Sequence, residues 1–111
     1  MVLYGNGRQT RDYIYVTDVV AALVAAATAK AVNRQVINIG SGVETSLMQL
    51  VAHIEQVTGK RVNQLTNQQK AGGVPRLVAD ISRAQQLLGF RPLVSLVAGL
   101  EQTLREDGRF Q

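Results

Sequence analysis

Arg11 is the side chain whose surroundings point most directly to chemistry. Residues Gly5 to Val19 read Gly-Asn-Gly-Arg-Gln-Thr-Arg-Asp-Tyr-Ile-Tyr-Val-Thr-Asp-Val. Gly5, Asn6 and Gly7 all tolerate positive φ, so the chain is expected to turn tightly there. Tyr13 to Val16 are aromatic or β-branched and predict a strand. Thr17 or Asp18 then offers an N-capping oxygen to a following helix. Arg11 therefore falls between turn and strand, at the edge of an expected cleft. A planar guanidinium fork there suits a phosphate or a carboxylate. The competing assignment is a surface arginine, paired with Asp12 or solvated.

The rest of the inventory argues against catalysis by side chains alone. Several of the eight carboxylates fall at expected helix caps and helix surfaces, and no paired acidic motif marks a glycosidase-type centre. No Ser-His-Asp pattern and no His-x-x-x-His metal spacing is present. The one histidine, His53, borders a helical apolar stripe without a His, Cys or carboxylate partner nearby, and is assigned no role. Gly5-Asn6-Gly7 lacks the Gly-Lys-Ser/Thr ending of a phosphate-binding loop. The order turn, strand, helix is also wrong for a dinucleotide fingerprint.

The elements that must position Arg11 follow from periodicity. Met1 to Tyr4 reads as a short strand end. Thr17 to Ala29 predicts a helix burying Val19, Val20, Leu23, Val24 and Ala27. Gln35 to Ile39 predicts a strand closed by Gly40-Ser41-Gly42, with Asn38 either on an exposed face or aimed at a ligand. Ser46 with Gln49 forms a capping-box pattern, opening a helix with the stripe Leu47, Leu50, Val51, Ile54 and Val57 and a stop at Gly59. Arg61 to Thr66 predicts an edge strand, Asn67 to Gly73 a loop, and Val74 to Val78 an extended segment. Asp80 caps a short helix to Leu88, stopped by Gly89. Arg91-Pro92 predicts a turn. Ser95 caps a last helix with Leu96, Leu100, Thr103 and Leu104 inward and Gly108 at its end.

Composition sets the class. The chain has 111 residues, 46% of them hydrophobic, which is enough for one domain with a core. Aromatic content is only 5%, so aliphatic side chains carry the packing. The absence of cysteine excludes disulfides and thiolate metal sites and fits a reducing compartment. Net charge is +4 and the isoelectric point is about 10.0. The basic residues are scattered, without a basic run or a stacking aromatic stripe, so a diphosphate partner is favoured over nucleic acid. No apolar run approaches the roughly 20 residues of a membrane span, and no signal-peptide pattern opens the chain. A cytoplasmic protein is expected.

Gly5 to Val20 resembles a signature in the C-terminal part of the extended short-chain dehydrogenases/reductases, the NAD-dependent epimerases and dehydratases of nucleotide sugars such as UDP-glucose 4-epimerase. Val36-Ile37-Asn38-Ile39-Gly40-Ser41-Gly42, Val78-Ala79-Asp80-Ile81-Ser82-Arg83-Ala84 and Leu87-Leu88-Gly89-Phe90-Arg91-Pro92 fit the same family in the same order. The resemblance covers nearly the whole chain. It implies an α/β fold that is partial: a helix (Thr17 to Ala29) and a strand (Val36 to Ile39) of the NAD-binding Rossmann sheet, plus the small C-terminal substrate-binding α/β domain. Residues 1–111 are then a single C-terminal substrate-binding region. The N-terminal dinucleotide-binding half, with its Gly-rich turn and Tyr-x-x-x-Lys pair, is not in these residues.

The same resemblance implies site residues. Arg11 matches the arginine that grips the nucleotide-sugar diphosphate, Tyr13 an aromatic lining that pocket, and Asn38 a nucleotide-sugar contact in some dehydratases. Family members carry an Arg-Pro-Gly-Asp or Arg-Pro-Gly-His-Asp loop where this chain has Lys70-Ala71-Gly72-Gly73. Lys70 keeps the positive charge but loses the bidentate fork. Gly73 replaces the acid that reaches the ribose. The implied function is nucleotide-sugar binding without catalysis by this chain alone, NAD being the cofactor of the complete enzyme and not bound here. The implied partners are a nucleotide-sugar diphosphate, the missing Rossmann half and, through apolar surface left uncovered, a second copy. The competing function is a stand-alone oligomeric remnant or interaction module that binds no sugar nucleotide.

Overall fold

The computed structural model describes residues 2–4, 7–30, 32–61, 65–67 and 75–108. Helices and very short strands alternate through them: β1 (Val2–Tyr4), β2 (Thr10–Arg11), α1 (Val16–Thr28), β3 (Thr45–Ser46), α2 (Leu47–Thr58), β4 (Leu65–Asn67), α3 (Ser82–Leu88) and α4 (Leu96–Glu106). The mixed α/β class is as expected. β1 pairs in parallel with β4, Val2 opposite Leu65. β2 pairs antiparallel with β3, Thr10 opposite Ser46 and Arg11 opposite Thr45.

Helix ends written in local sequence form where they are written. Ser46 caps α2 as a full capping box: its Oγ accepts from the Gln49 N–H at 3.1 Å, and Gln49 Oε1 accepts from the Ser46 N–H at 2.8 Å. Ser95 Oγ accepts from the Ala98 N–H at 3.1 Å and opens α4. Gly59 and Gly89 close α2 and α3 at φ of 69° and 63°. Asp80 works one residue outside its expected position. Ile81 is the N-cap of α3, and the Asp80 carboxylate accepts from Ser82 N at 3.0 Å and Ser82 Oγ at 2.6 Å. α4 ends on Asp107 rather than Gly108, and its Thr103 is exposed, its hydroxyl donating to Gly99 O at 2.8 Å.

Three expectations are corrected. Tyr13 to Val16 is not a strand: the ladder lies earlier, at Thr10–Arg11, and Val16 already begins α1. Beyond Arg11 it is the Asp12 side chain, not the backbone, that takes the neighbouring N–H donors. Gln35 to Ile39 pairs with no other described segment; a side chain meets its backbone instead, Arg83 Nη1 donating to Val36 O at 2.9 Å. Neither Thr17 nor Asp18 caps α1, whose N-cap is Tyr15 without a side-chain bond.

The face of α1 is reversed as well. Val20, Leu23 and Val24, expected inside, are 51%, 66% and 63% exposed. The helix turns its small face inward instead. Ala22 is buried with Ala84 and Phe90, and Ile14, Ile37, Ile39, Ile81 and Leu88 pack around them. Val51 of α2 is buried, and α2 packs on α4. These clusters are small, and the radius of gyration is 16.4 Å, against about 13 Å for a compact domain near this length. The chain is a flattened body of 49 × 34 × 18 Å.

Asp18 explains how α1 is held despite so thin a core. It is 4% exposed, and its carboxylate accepts from Leu93 N and Val94 N, each at 3.1 Å. The bonds tie the first turn of α1 to the segment entering α4, and the negative charge suits a helix N-terminus. Asp18→Ala strands two inward N–H groups and removes a charged acceptor. Urea denaturation is expected to show a loss of about 2–4 kcal/mol; a loss below about 0.5 kcal/mol would contradict this role.

Candidate functional site

β2 is the centre of a three-segment arrangement. On one side it pairs with β3. On the other, Thr10 N donates to Pro75 O at 2.9 Å and Leu77 N donates to Thr10 O at 3.1 Å. Glu44 spans the same three segments. Its Oε1 accepts from Thr10 Oγ1 at 2.7 Å and from Arg76 Nε at 2.7 Å, and its Oε2 accepts from Arg76 Nη2 at 2.9 Å. The Arg76 fork holds the Glu44 carboxyl well below its ordinary range, at about 2. The pair is exposed and water-screened, so it contributes register more than stability.

The next residue after β2, Asp12, turns its carboxylate the other way along the chain. Oδ1 accepts from Ser41 N and Ser41 Oγ, both at 2.7 Å. Oδ2 accepts from Gly42 N at 3.0 Å and Ala79 N at 3.1 Å. Partial burial pushes this carboxyl up, but the bonds from Ser41, Ala79 and Gly42 outweigh it and hold the group below its ordinary value of 3.8. The backbone comes so close that Gly40 is the residue that fits: a Cβ there would lie 2.6 Å from Ala79 Cβ and 2.7 Å from Asp12 Oδ2.

The segments so joined enclose a cavity of about 550 Å3 whose lining includes Arg11, Asn38, Gly40, Leu77, Ala79 and Asp80. Arg11 and Asn38, named from sequence, thus share one cavity. Arg11 is half-buried, and its Nη1 donates to Thr10 O at 2.7 Å. Asn38 is exposed. Tyr13 lies elsewhere, in a smaller hollow of about 180 Å3 against Tyr15 and α4, with Ile14 lining both spaces. Lys70 lies outside the described residues. The residue that sequence reasoning misses is Asp12, which enters there only as an ion-pair partner for Arg11. Its three partner residues stand 29, 30 and 67 positions away. The one local hint is the string Gly40-Ser41-Gly42, whose successive N–H groups can form an anion-binding nest.

The profile of the family described as GDP-mannose 4,6 dehydratase matches residues 1–103. The chain belongs to this family. Its relatives are NAD-dependent nucleotide-sugar epimerases and dehydratases. A UDP-glucose 4-epimerase of Mycolicibacterium smegmatis is 36% identical, over 92% of this chain and 32% of its own length. A putative UDP-glucose 4-epimerase of Methanocaldococcus jannaschii is 34% identical, over 93% and 32%. Among solved members, the UDP-glucose 4-epimerase of Thermotoga maritima with UDP-glucose superposes with a TM-score of 0.85 at 33% identity, over 95% of this chain and 33% of that one. UDP-glucuronic acid 4-epimerase of Bacillus cereus, in complex with UDP-glucuronic acid and NAD, gives 0.82 at 36%, over 90% and 32%. The chain spans about a third of the length of the relatives it matches.

Some relatives of this family were solved with NAD. The Gly40–Gly42 turn offers converging N–H groups of the kind that cradle a diphosphate, and it spends those of Ser41 and Gly42 on Asp12. No cluster of three or more metal-ligating side chains occurs among the described residues. None of their helices is long and apolar enough to cross a membrane.

The Asp12 contacts set a pH dependence. A carboxyl whose folded value lies below its unfolded value stabilises above the unfolded value and loses that contribution as pH falls through the folded one. The window opens below 3.8 for Asp12 and runs from 4.5 towards about 2 for Glu44. Unfolding free energy of the native chain is expected to fall as pH drops through this range, and less steeply for Asp12→Asn. Superimposable slopes for the two proteins would contradict the assignment.

Proposed function

We propose that this chain is the nucleotide-sugar-binding portion of an NAD-dependent epimerase/dehydratase, residues 1–111 forming one C-terminal substrate-binding region. The observation that carries this reading is the shared cavity of Arg11 and Asn38 in a chain that superposes on UDP-sugar epimerases. Arg11 supplies the charged fork for the diphosphate, and Asn38 offers an amide to the nucleotide sugar. Tyr13 flanks them from the adjoining hollow. Lys70, outside the described residues, adds a weaker positive charge. Hydride transfer belongs to the complete enzyme, where NAD and the Tyr-x-x-x-Lys pair reside on the dinucleotide-binding half. The chain by itself binds without turning over, and the lack of cysteine fits a cytoplasmic setting.

Titration calorimetry with UDP-glucose, dTDP-glucose and UDP-glucuronic acid tests the reading. At least one is expected to bind, and Arg11→Ala to weaken it at least about tenfold, the cost of losing a hydrogen bond to a charged group. No heat from any of them would overturn it.

A second reading rests on a different observation. Val16, Val20, Leu23 and Val24 form an exposed apolar stripe along α1. In the complete enzyme the dinucleotide-binding half covers this face; in the chain alone it favours self-association, as in a stand-alone interaction module. Light scattering of the isolated chain is expected to show a dimer or larger species that Leu23→Glu dissociates. A monomer at high concentration would contradict this.

A further inference from the structure

We propose that Asp12 is the positioning residue for the anion-binding arginine: by tying the three segments that wall the Arg11 cavity, it holds the guanidinium where a nucleoside diphosphate can meet it. This rests on the binding role proposed for Arg11. Asp12 is covalently next to Arg11, so its Cα fixes the arginine's Cα at about 3.8 Å across one rigid peptide. Its carboxylate is bound from the Ser41–Gly42 turn and from Ala79. Gly40, Ala79 and Asp12 itself are part of the cavity wall. All four donors are N–H or O–H groups, so an ionised acceptor is required at both oxygens. An asparagine keeps the shape but aims an NH2 group at donors on one side. The wall would open there, and Arg11 would lose its fixed origin although its own side chain is untouched.

This arrangement separates positioning from general stability. A residue that only stabilises the fold lowers the melting temperature and leaves the affinity of the folded protein unchanged. A residue that acts through Arg11 lowers affinity, and does so only while Arg11 is present.

The test is UDP binding by calorimetry, well below each protein's melting temperature, for the native chain, Arg11→Ala, Asp12→Asn and the double variant. Asp12→Asn is expected to weaken UDP binding about tenfold, the scale of coupling between contacting residues. The double variant is expected to bind no more weakly than Arg11→Ala alone. Unchanged affinity in Asp12→Asn, or losses that simply add, would overturn the positioning role while leaving the binding role of Arg11 standing. Absence of UDP binding by the native chain would overturn both. Should Asp12→Asn fail to fold, Ser41→Ala removes one of the four bonds and is expected to weaken UDP binding by about twofold to threefold, a loss again masked by Arg11→Ala; unchanged affinity there would count against the proposal.

Discussion

The two oxygens of Asp12 gather four donors from two segments that are remote from it in sequence, and the rest of the structure is arranged around that convergence. A hydrogen bond to a charged group contributes about 1.5–3 kcal/mol net. Four of them on one carboxylate weigh heavily in a chain whose buried apolar set, among the described residues, is Ala22, Val51, Ala84 and Phe90. Two of those four are alanines, with little surface to withdraw from water. Apolar burial is non-directional and would leave the loop at residues 40–42 and the segment at 77–80 free to slide. The carboxylate supplies the direction.

Asp18 repeats the device at a second place. There the donors are Leu93 N and Val94 N, and the segment fastened is the lead-in to α4. Each of the two aspartates stands near the start or end of the unladdered run between β2 and α1, and each reaches across to a loop. Between them the chain passes Ile14, which packs on the Ala22–Ala84–Phe90 cluster, and Tyr15, whose ring sits 2.9 Å from where a Cβ on Gly99 would lie. The stretch from Thr10 to Asp18 thus joins strand pairing, polar ties and helix packing. Little apolar area is needed to fix its course, which fits a flat body with an open apolar face on α1.

What the sequence makes legible is local chemistry. The capping box of Ser46 and Gln49, the Ser95 cap and the stops at Gly59 and Gly89 each depend on residues close together in the chain, and each forms as read. The family is legible because its motifs recur in a fixed order. Strand expectations break down where a strand depends on a partner: Tyr13 to Val16 and Gln35 to Ile39 have the side chains for a sheet, but no described segment pairs with them. The face of α1 is misread for a related reason. Two sides of that helix are apolar, periodicity picks the bulkier one, and the side that packs is the one small enough to approach α3 closely. The ties of Asp12 and Asp18 span 29 to 76 positions, and beyond the Gly40-Ser41-Gly42 string no local pattern announces them. Asp12 reads as a partner for Arg11 because a neighbouring opposite charge is the simplest explanation available to a sequence.

Arg11 and Asn38 come from separate segments, and it is the fastening of those segments that brings them to one cavity. Its lining sets the Arg11 guanidinium and the Asn38 amide among aliphatic walls at Leu77 and Val78 and beside the carboxylates of Asp12 and Asp80, and the diphosphate site proposed for it rests on Arg11. The most direct measurement is a nitrogen-15 NMR titration of the chain with UDP-glucose, following backbone amides and the Arg11 side chain. The account predicts saturable shifts concentrated at Arg11, Asn38, Gly40 and residues 77–80. Shifts confined to α4 or to the α1 stripe, or none at saturating ligand, would contradict it.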